Sequence, residues 1–227
     1  MRKQRSDGQE TRRNLLAAAG EVFARKGFRE ATIVEICQQA AANTAAISYH
    51  FGSKEALYVE SWRYAFTQSL KTYPLDGGIP SEAPAEEKLR GRILAIMRRI
   101  IDPQSHEFDI FHKEMASPTG LLTRAIQESV EPIFQGLALL VRELLGKEPR
   151  EHDVQLCTMS IRAQCFGSLL HARHCKIAQG LPSTDFGFES LFDDVEQLAD
   201  HVTRFSMAGI RALGDRQAQQ SDNEVGL

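Results

Sequence analysis

The sequence predicts an all-α protein of about nine or ten helices: an N-terminal three-helix helix-turn-helix domain followed by a larger helical domain. Three observations carry that expectation. Apolar residues recur at spacings of three and four through most of the chain, which marks one-sided helices. No β-type alternation of any length occurs. Gly and Pro fall at helix-length intervals, at Gly27, Gly52, residues 73–84, Gly146 and residues 180–182.

In order, residues 1–8 are polar and read as a disordered basic arm. Leu15, Leu16, Ala19, Val22 and Phe23 define one face of a helix that Gly27 stops in a left-handed cap. Thr32 and Glu35 form a capping box for a helix to about Gln39. Asn43 caps the next, about Thr44 to His50, which buries Ile47. Ser53 caps a fourth that runs through Leu57, Trp62, Phe66 and Leu70. After the loop at 73–84 come helices at 86–101 and 106–115. Ser117-Pro118 opens a helix to Leu145 that Pro132 is expected to kink. A long helix from Pro149 to about Ala178 and a last one from about Phe188 to Leu213 follow, and the polar tail from Gly214 reads as disordered.

Composition is that of an ordinary globular chain, 42% hydrophobic and 25% charged. No apolar run approaches the roughly 18 residues that span a bilayer. The charged start, MRKQRSDGQETRR, lacks the apolar core of a signal peptide, so a cytoplasmic location is expected. Cys37, Cys157, Cys165 and Cys175 show no CxxC spacing and read as buried free thiols. Residues 1–29 carry eight Lys/Arg against three acids, a net +5, which leaves −8 for the rest of a chain whose total is −3. A basic segment on an acidic body suits one face offered to a polyanion, although a chance cluster gives the same count.

Thr32 to Leu57, TIVEICQQAAANTAAISYHFGSKEAL, is the most specific stretch. Two short helices joined by a tight turn make a helix-turn-helix, whose second helix can enter the major groove. The outward surface of that second helix is small and polar, as pressing against base edges requires. Phe23-Ala24-x-x-Gly27-Phe28, Ala31-Thr32-Ile33 and Ile47-Ser48-Tyr49-His50-Phe51-Gly52-Ser53-Lys54-Glu55-Ala56-Leu57 closely resemble the DNA-binding domain of TetR-family transcriptional regulators over about residues 9–60. His112-Lys113-Glu114-Met115-Ala116-Ser117-Pro118-Thr119 resembles the CecR (YbiH-like) branch.

The resemblance implies a DNA-binding domain at 1–53, a ligand-binding and dimerisation domain at 54–213 and a tail at 214–227. It also implies roles by position. Thr32 and Lys54 contact phosphates; Thr44, Ala45 and Ser48 face base edges; Asn43, the cap of that helix, belongs to the DNA-binding set; Tyr49 and His50 end the recognition helix. Thr and Ala methyls suit thymine methyls, while hydroxyls are tolerant partners. Tyr49 and His50 also have a purely structural reading, by packing against their neighbours. The family places Gly in the turn where this chain has Ala41; if φ is positive there, Ala costs about 1 kcal/mol.

No P-loop, nucleophile elbow or GxGxxG occurs, and His112 with Glu114 is a weak acid–base pair, so no enzyme and no cofactor are expected. The resemblance implies a helical effector pocket, for which Phe108, Phe111, Met115, Phe134, Leu137, Met159, Arg162 and Phe166 are candidates, equally readable as core. Aromatic and Met side chains with one cation suit an apolar molecule that carries a polar or acidic group. His171, His174 and Cys175 lie within five residues on one helix and form an alternative metal or thiol trigger, together with Cys165. The expected assembly is a homodimer through the last two helices, bound as a repressor to a palindromic double-stranded operator. A non-specific DNA binder is the remaining alternative, which the acidic body disfavours.

Overall fold

A computed structural model describes residues 2–177 and 194–225, with the side chains at 2–6, 168, 170–172, 174–177 and 217–225 left undescribed. Nine helices and no strands occur among the described residues. They are α1 (Arg2–Glu30), α2 (Ile33–Gln39), α3 (Thr44–Phe51), α4 (Lys54–Thr72), α5 (Ala85–Ile101), α6 (His106–Ala116), α7 (Thr123–Leu145), α8 (Glu151–Ile177) and α9 (Val195–Val225). The expected loop at 183–187 and the expected start of the last helix at Phe188 lie outside the described residues.

Packing divides the chain into two compact units, residues 1–72 with 103–130, and residues 73–102 with 131–227. In the first, α1 packs on α4, α6, α2 and α3. Its core holds Leu15, Ala19, Val22, Phe23, Ile36, Ile47, Leu57, Tyr58, Trp62 and Ile110. Phe23 and Phe28 both pack on Tyr58, with ring centroids 4.8 and 5.2 Å away. In the second unit, α5 packs on α8 and α9 through Leu89, Ile93, Met97, Ile100, Val154, Ile161, Ala199, Val202 and Ile210. The buried Arg173 donates to the carbonyls of Ile100 and Asp102 at 2.6 and 2.7 Å, which closes the C-terminal end of α5.

Four expectations need correction. Residues 2–8 and 214–225 are helical rather than disordered, because their Arg, Lys, Gln and Glu residues extend α1 and α9 at little propensity cost. Gly27 has φ 73 and ψ 178, a backbone reserved for glycine but not the left-handed helical cap expected. Glu35 does not complete the capping box with Thr32, because Arg25 and Lys26 occupy its carboxylate. Finally, α7 begins at Thr123 instead of Ser117. The buried Glu114 carboxylate accepts from the backbone N–H groups of Thr119 and Gly120, both at 2.9 Å, and from the Thr119 and Tyr58 hydroxyls at 2.9 and 3.1 Å. Residues 117–122 are thereby held as a loop. Burial, followed by the facing Glu114 charge, raises the Tyr58 phenol above its ordinary range.

Candidate nucleic-acid interface

The interface is built from three short elements with well-satisfied ends. Thr32 has extended backbone, and its hydroxyl accepts from the Glu35 N–H at 3.2 Å to start α2. Asn43 does the same for α3, its Oδ1 accepting from the Ala45 N–H at 2.8 Å. Ser53 Oγ accepts from the Ala56 N–H at 3.2 Å at the start of α4. Gly52 ends α3 with φ 79, and its N–H donates to the carbonyls of Ile47 and Ser48.

Between α2 and α3 the chain makes a Schellman turn. The Ala42 N–H donates to the Cys37 carbonyl at 2.9 Å and the Ala41 N–H to the Gln38 carbonyl at 3.2 Å. The pivot of that motif is Ala41, with φ 51, a left-handed backbone that disfavours a Cβ. The positive φ on which the expected cost of Ala41 depended is therefore present.

Ile47 pins α3 to the core at 1% exposure, and this orients the rest of the helix. Thr44, Ala45 and Ser48 are exposed, and Tyr49 is 82% exposed. A phenol that exposed buries little apolar area, and its one ring contact among the described residues is with the adjacent His50. His50 is half-buried, edge-on to Tyr49 with ring centroids 4.8 Å apart. Thr32 is exposed beside α2, while Lys54 is half-buried with Nζ 4.6 Å from the Phe28 ring centroid. Burial lowers the Lys54 pKa. The exposed set offers methyls, hydroxyls and a phenol; the Asn43 side-chain oxygen is already used as a cap.

The basic charge is less available than its count implied. Glu35 holds Arg25 at 2.7 Å and Lys26 at 2.8 Å, and Lys26 is the first cause of its lowered pKa. Arg12 pairs with Glu60 at 3.0 Å and lies 5.1 Å from the Phe51 ring centroid. Exposed Arg13 and Arg29 form no ion pair among the described residues. The lysines and arginines of α1 thus divide into internal struts and free cations, a distinction invisible without the acids that face them.

The effector candidates scatter more widely. In the first unit, α6 turns Glu107, Ile110 and Glu114 inward, at 3%, 0% and 8% exposure, with Phe108 also buried. Phe111 is half-buried, and Met115 points to solvent at 65% exposure because Glu114 takes the inward position. The two acids were missed because glutamate at helical spacing reads as solvent-facing. In the second unit, Phe134, Leu137, Arg162 and Phe166 are half-buried, while Met159 is 57% exposed. Of these, the structure brings Phe134 and Arg162 into contact, the guanidinium carbon 3.3 Å from the ring centroid. The side chains of His171, His174 and Cys175 lie outside those described. Cys165 is buried, which pushes its thiol up to about 12. Leu156 and Met159 on α8 and Phe205 on α9 are large apolar side chains left exposed.

Comparison with known proteins agrees with this geometry. Residues 15–60 match the family described as bacterial regulatory proteins, tetR family. Residues 85–210 match the C-terminal domain of the HTH-type transcriptional dual regulator CecR. The chain is 27% identical over 164 residues to CecR of Shigella flexneri, covering 68% of this chain and 73% of that one. It is 24% identical over 158 residues to the HTH-type transcriptional regulator SrpR of Pseudomonas putida, covering 68% and 71%. Among solved structures, a transcriptional regulator from Pseudomonas aeruginosa PAO1 superposes with a TM-score of 0.66 at 20% identity, covering 89% of this chain and 93% of that one. A TetR-family regulator from Mesorhizobium loti gives 0.65 at 19%, covering 88% and 96%. At these identities the superpositions speak to the fold alone.

Proposed function

The chain belongs to the TetR family of bacterial transcriptional regulators and carries a CecR-type C-terminal domain, and on that premise we propose that it is a homodimeric repressor released from a palindromic operator by a small-molecule effector. The observation that carries the DNA-binding part is Tyr49, 82% exposed at the end of a short capped helix whose outward residues are Thr44, Ala45 and Ser48. In this reading those three side chains meet base edges, Tyr49 and His50 reach the backbone or an outer base, and Thr32 and Lys54 hold phosphates. Asn43 acts chiefly by capping. With no bidentate donor on the exposed face, recognition leans on methyl contacts, DNA shape and the second copy.

The dimer uses α8 and α9, where exposed Leu156, Met159 and Phe205 supply apolar area for a four-helix interface. Its two recognition helices meet successive major grooves about 34 Å apart. Effector bound by the C-terminal domain and operator bound by α3 weaken each other reciprocally. The family and its matched relatives are regulators rather than enzymes. No described helix is long and apolar enough to cross a membrane, and the proposed location is the cytoplasm.

Selection of bound DNA from a random library tests this reading. The expected product is a palindrome with half-sites about one helical turn apart; enrichment of no sequence would leave only a non-specific binder. Because the Shigella flexneri relative is named a dual regulator, a reporter downstream of the selected site should be read for activation as well as repression. Thiol triggering through Cys165 is disfavoured by its burial and raised pKa.

A further inference from the structure

Arg162 is the least conventional side chain of the second unit. Its guanidinium carbon lies over the Phe134 ring, 3.3 Å from the centroid, and both residues are half-buried. Nε is buried without a hydrogen-bond partner, and no acceptor meets any of its nitrogens among the described residues. Several other arginines of this unit are matched: Arg90 with Asp200 and Glu196, Arg142 with Glu151, Arg173 with two carbonyls. Burial disfavours the charged form of Arg162 and lowers its pKa.

A stacked ring satisfies one face of a guanidinium but none of its N–H donors, which point outward in the plane. Leaving the buried Nε–H unmet costs free energy that a two-oxygen acceptor, bridging Nε and a terminal nitrogen, recovers. Helical spacing sets Leu137 beside Phe134 on α7 and Phe166 beside Arg162 on α8, so apolar residues neighbour the cation along both helices. We propose that Arg162, held on Phe134, is the receptor for the carboxylate of an amphipathic effector whose apolar or aromatic body lies along Leu137 and Phe166. This deepens the ligand-responsive reading above and rests on it.

The test uses the full-length protein and two matched pairs of probes, 4-phenylbutyrate with 4-phenylbutyramide and octanoate with octanamide, in calorimetric titrations. The expected result is that a carboxylate binds at least about tenfold more tightly than its amide. Arg162→Met should erase the difference, Arg162→Lys should keep part of it, and Arg92→Met, which removes another unpaired cation of the same unit, should leave it intact. Equal binding of acid and amide, no binding of either acid, or a preference that survives Arg162→Met overturns the proposal. Should Arg162→Met fail to fold, the wild-type acid-to-amide ratio and the Phe134→Leu variant, expected to weaken acid binding several-fold, still decide it. Operator affinity is measured separately. Arg162-dependent binding without operator release refutes the ligand-responsive reading and leaves the receptor. Operator release by a ligand indifferent to Arg162 does the reverse.

Discussion

Replacing Ala41 by glycine isolates a single backbone conflict. Ala41 sits at φ 51 in the pivot of the turn between α2 and α3, and it is exposed. A Cβ in that conformation costs roughly 1–2 kcal/mol. Glycine removes the clash but has about 0.5–1 kcal/mol more chain entropy to lose on folding. The difference is a net stabilisation of about 0–1.5 kcal/mol, centred on about 0.75 kcal/mol. For a protein of this size about 1 kcal/mol shifts Tm by roughly 2–4 °C, so Ala41→Gly should raise Tm by about 1–4 °C. Both turn hydrogen bonds come from backbone N–H groups that glycine retains, so operator affinity should stay within about twofold. Thermal unfolding by circular dichroism, paired with anisotropy titration of the selected operator, reads both quantities. A lowered Tm would refute the reasoning, because it would place Ala41 in ordinary helical backbone. A raised Tm with lost DNA binding would show that the strained turn itself sets the pose of α3.

Tyr49→Ala should leave Tm unchanged, since the ring is 82% exposed, while operator affinity falls by about 5- to 100-fold in an anisotropy titration. Glu114→Gln keeps the shape but loses the charge and replaces with an amide NH2 the oxygen that accepts from the Tyr58 and Thr119 hydroxyls, while one oxygen remains for the turn N–H groups. A destabilisation of about 1–3 kcal/mol by chemical denaturation is expected, with altered emission from Trp62, whose indole N–H donates to the Glu107 carbonyl of the same helix. Cys165 should resist a disulfide reagent at pH 8 in the folded protein and react on unfolding. Its raised folded pKa means that the unfolded chain loses a proton first. Stability should therefore fall as pH climbs from about 9 towards 12, with a slope about 1.4 kcal/mol per pH unit shallower in Cys165→Ala.

Most of the helix-turn-helix was legible because its determinants are local. Thr32, Asn43 and Ser53 cap helices with N–H groups two or three residues on, and Ile36 and Ile47 are buried as their spacing required. The effector candidates were less legible. Apolar spacing brought Phe108, Phe111 and Met115 to one face of α6, yet the face turned inward carries Glu107 and Glu114. A carboxylate is buried only when donors are waiting, and here one of them, Tyr58, lies 56 residues away from Glu114 in the chain.

The all-α class, the caps at Thr32, Asn43 and Ser53, the family and the residues displayed on α3 could be read from the chain alone, since each depends on contacts within a few residues or on side-chain type at one position. Tertiary structure decided which cations remain free and where α7 begins. Glu35 and Glu60 engage Arg25, Lys26 and Arg12 across helices, Glu114 holds the loop before Thr123, and Arg162 lies on Phe134 with no acid to meet it among the described residues. The reason is common to all of these: a charge's worth depends on its solvent exposure and its partners, and both are properties of packing rather than of position in the chain.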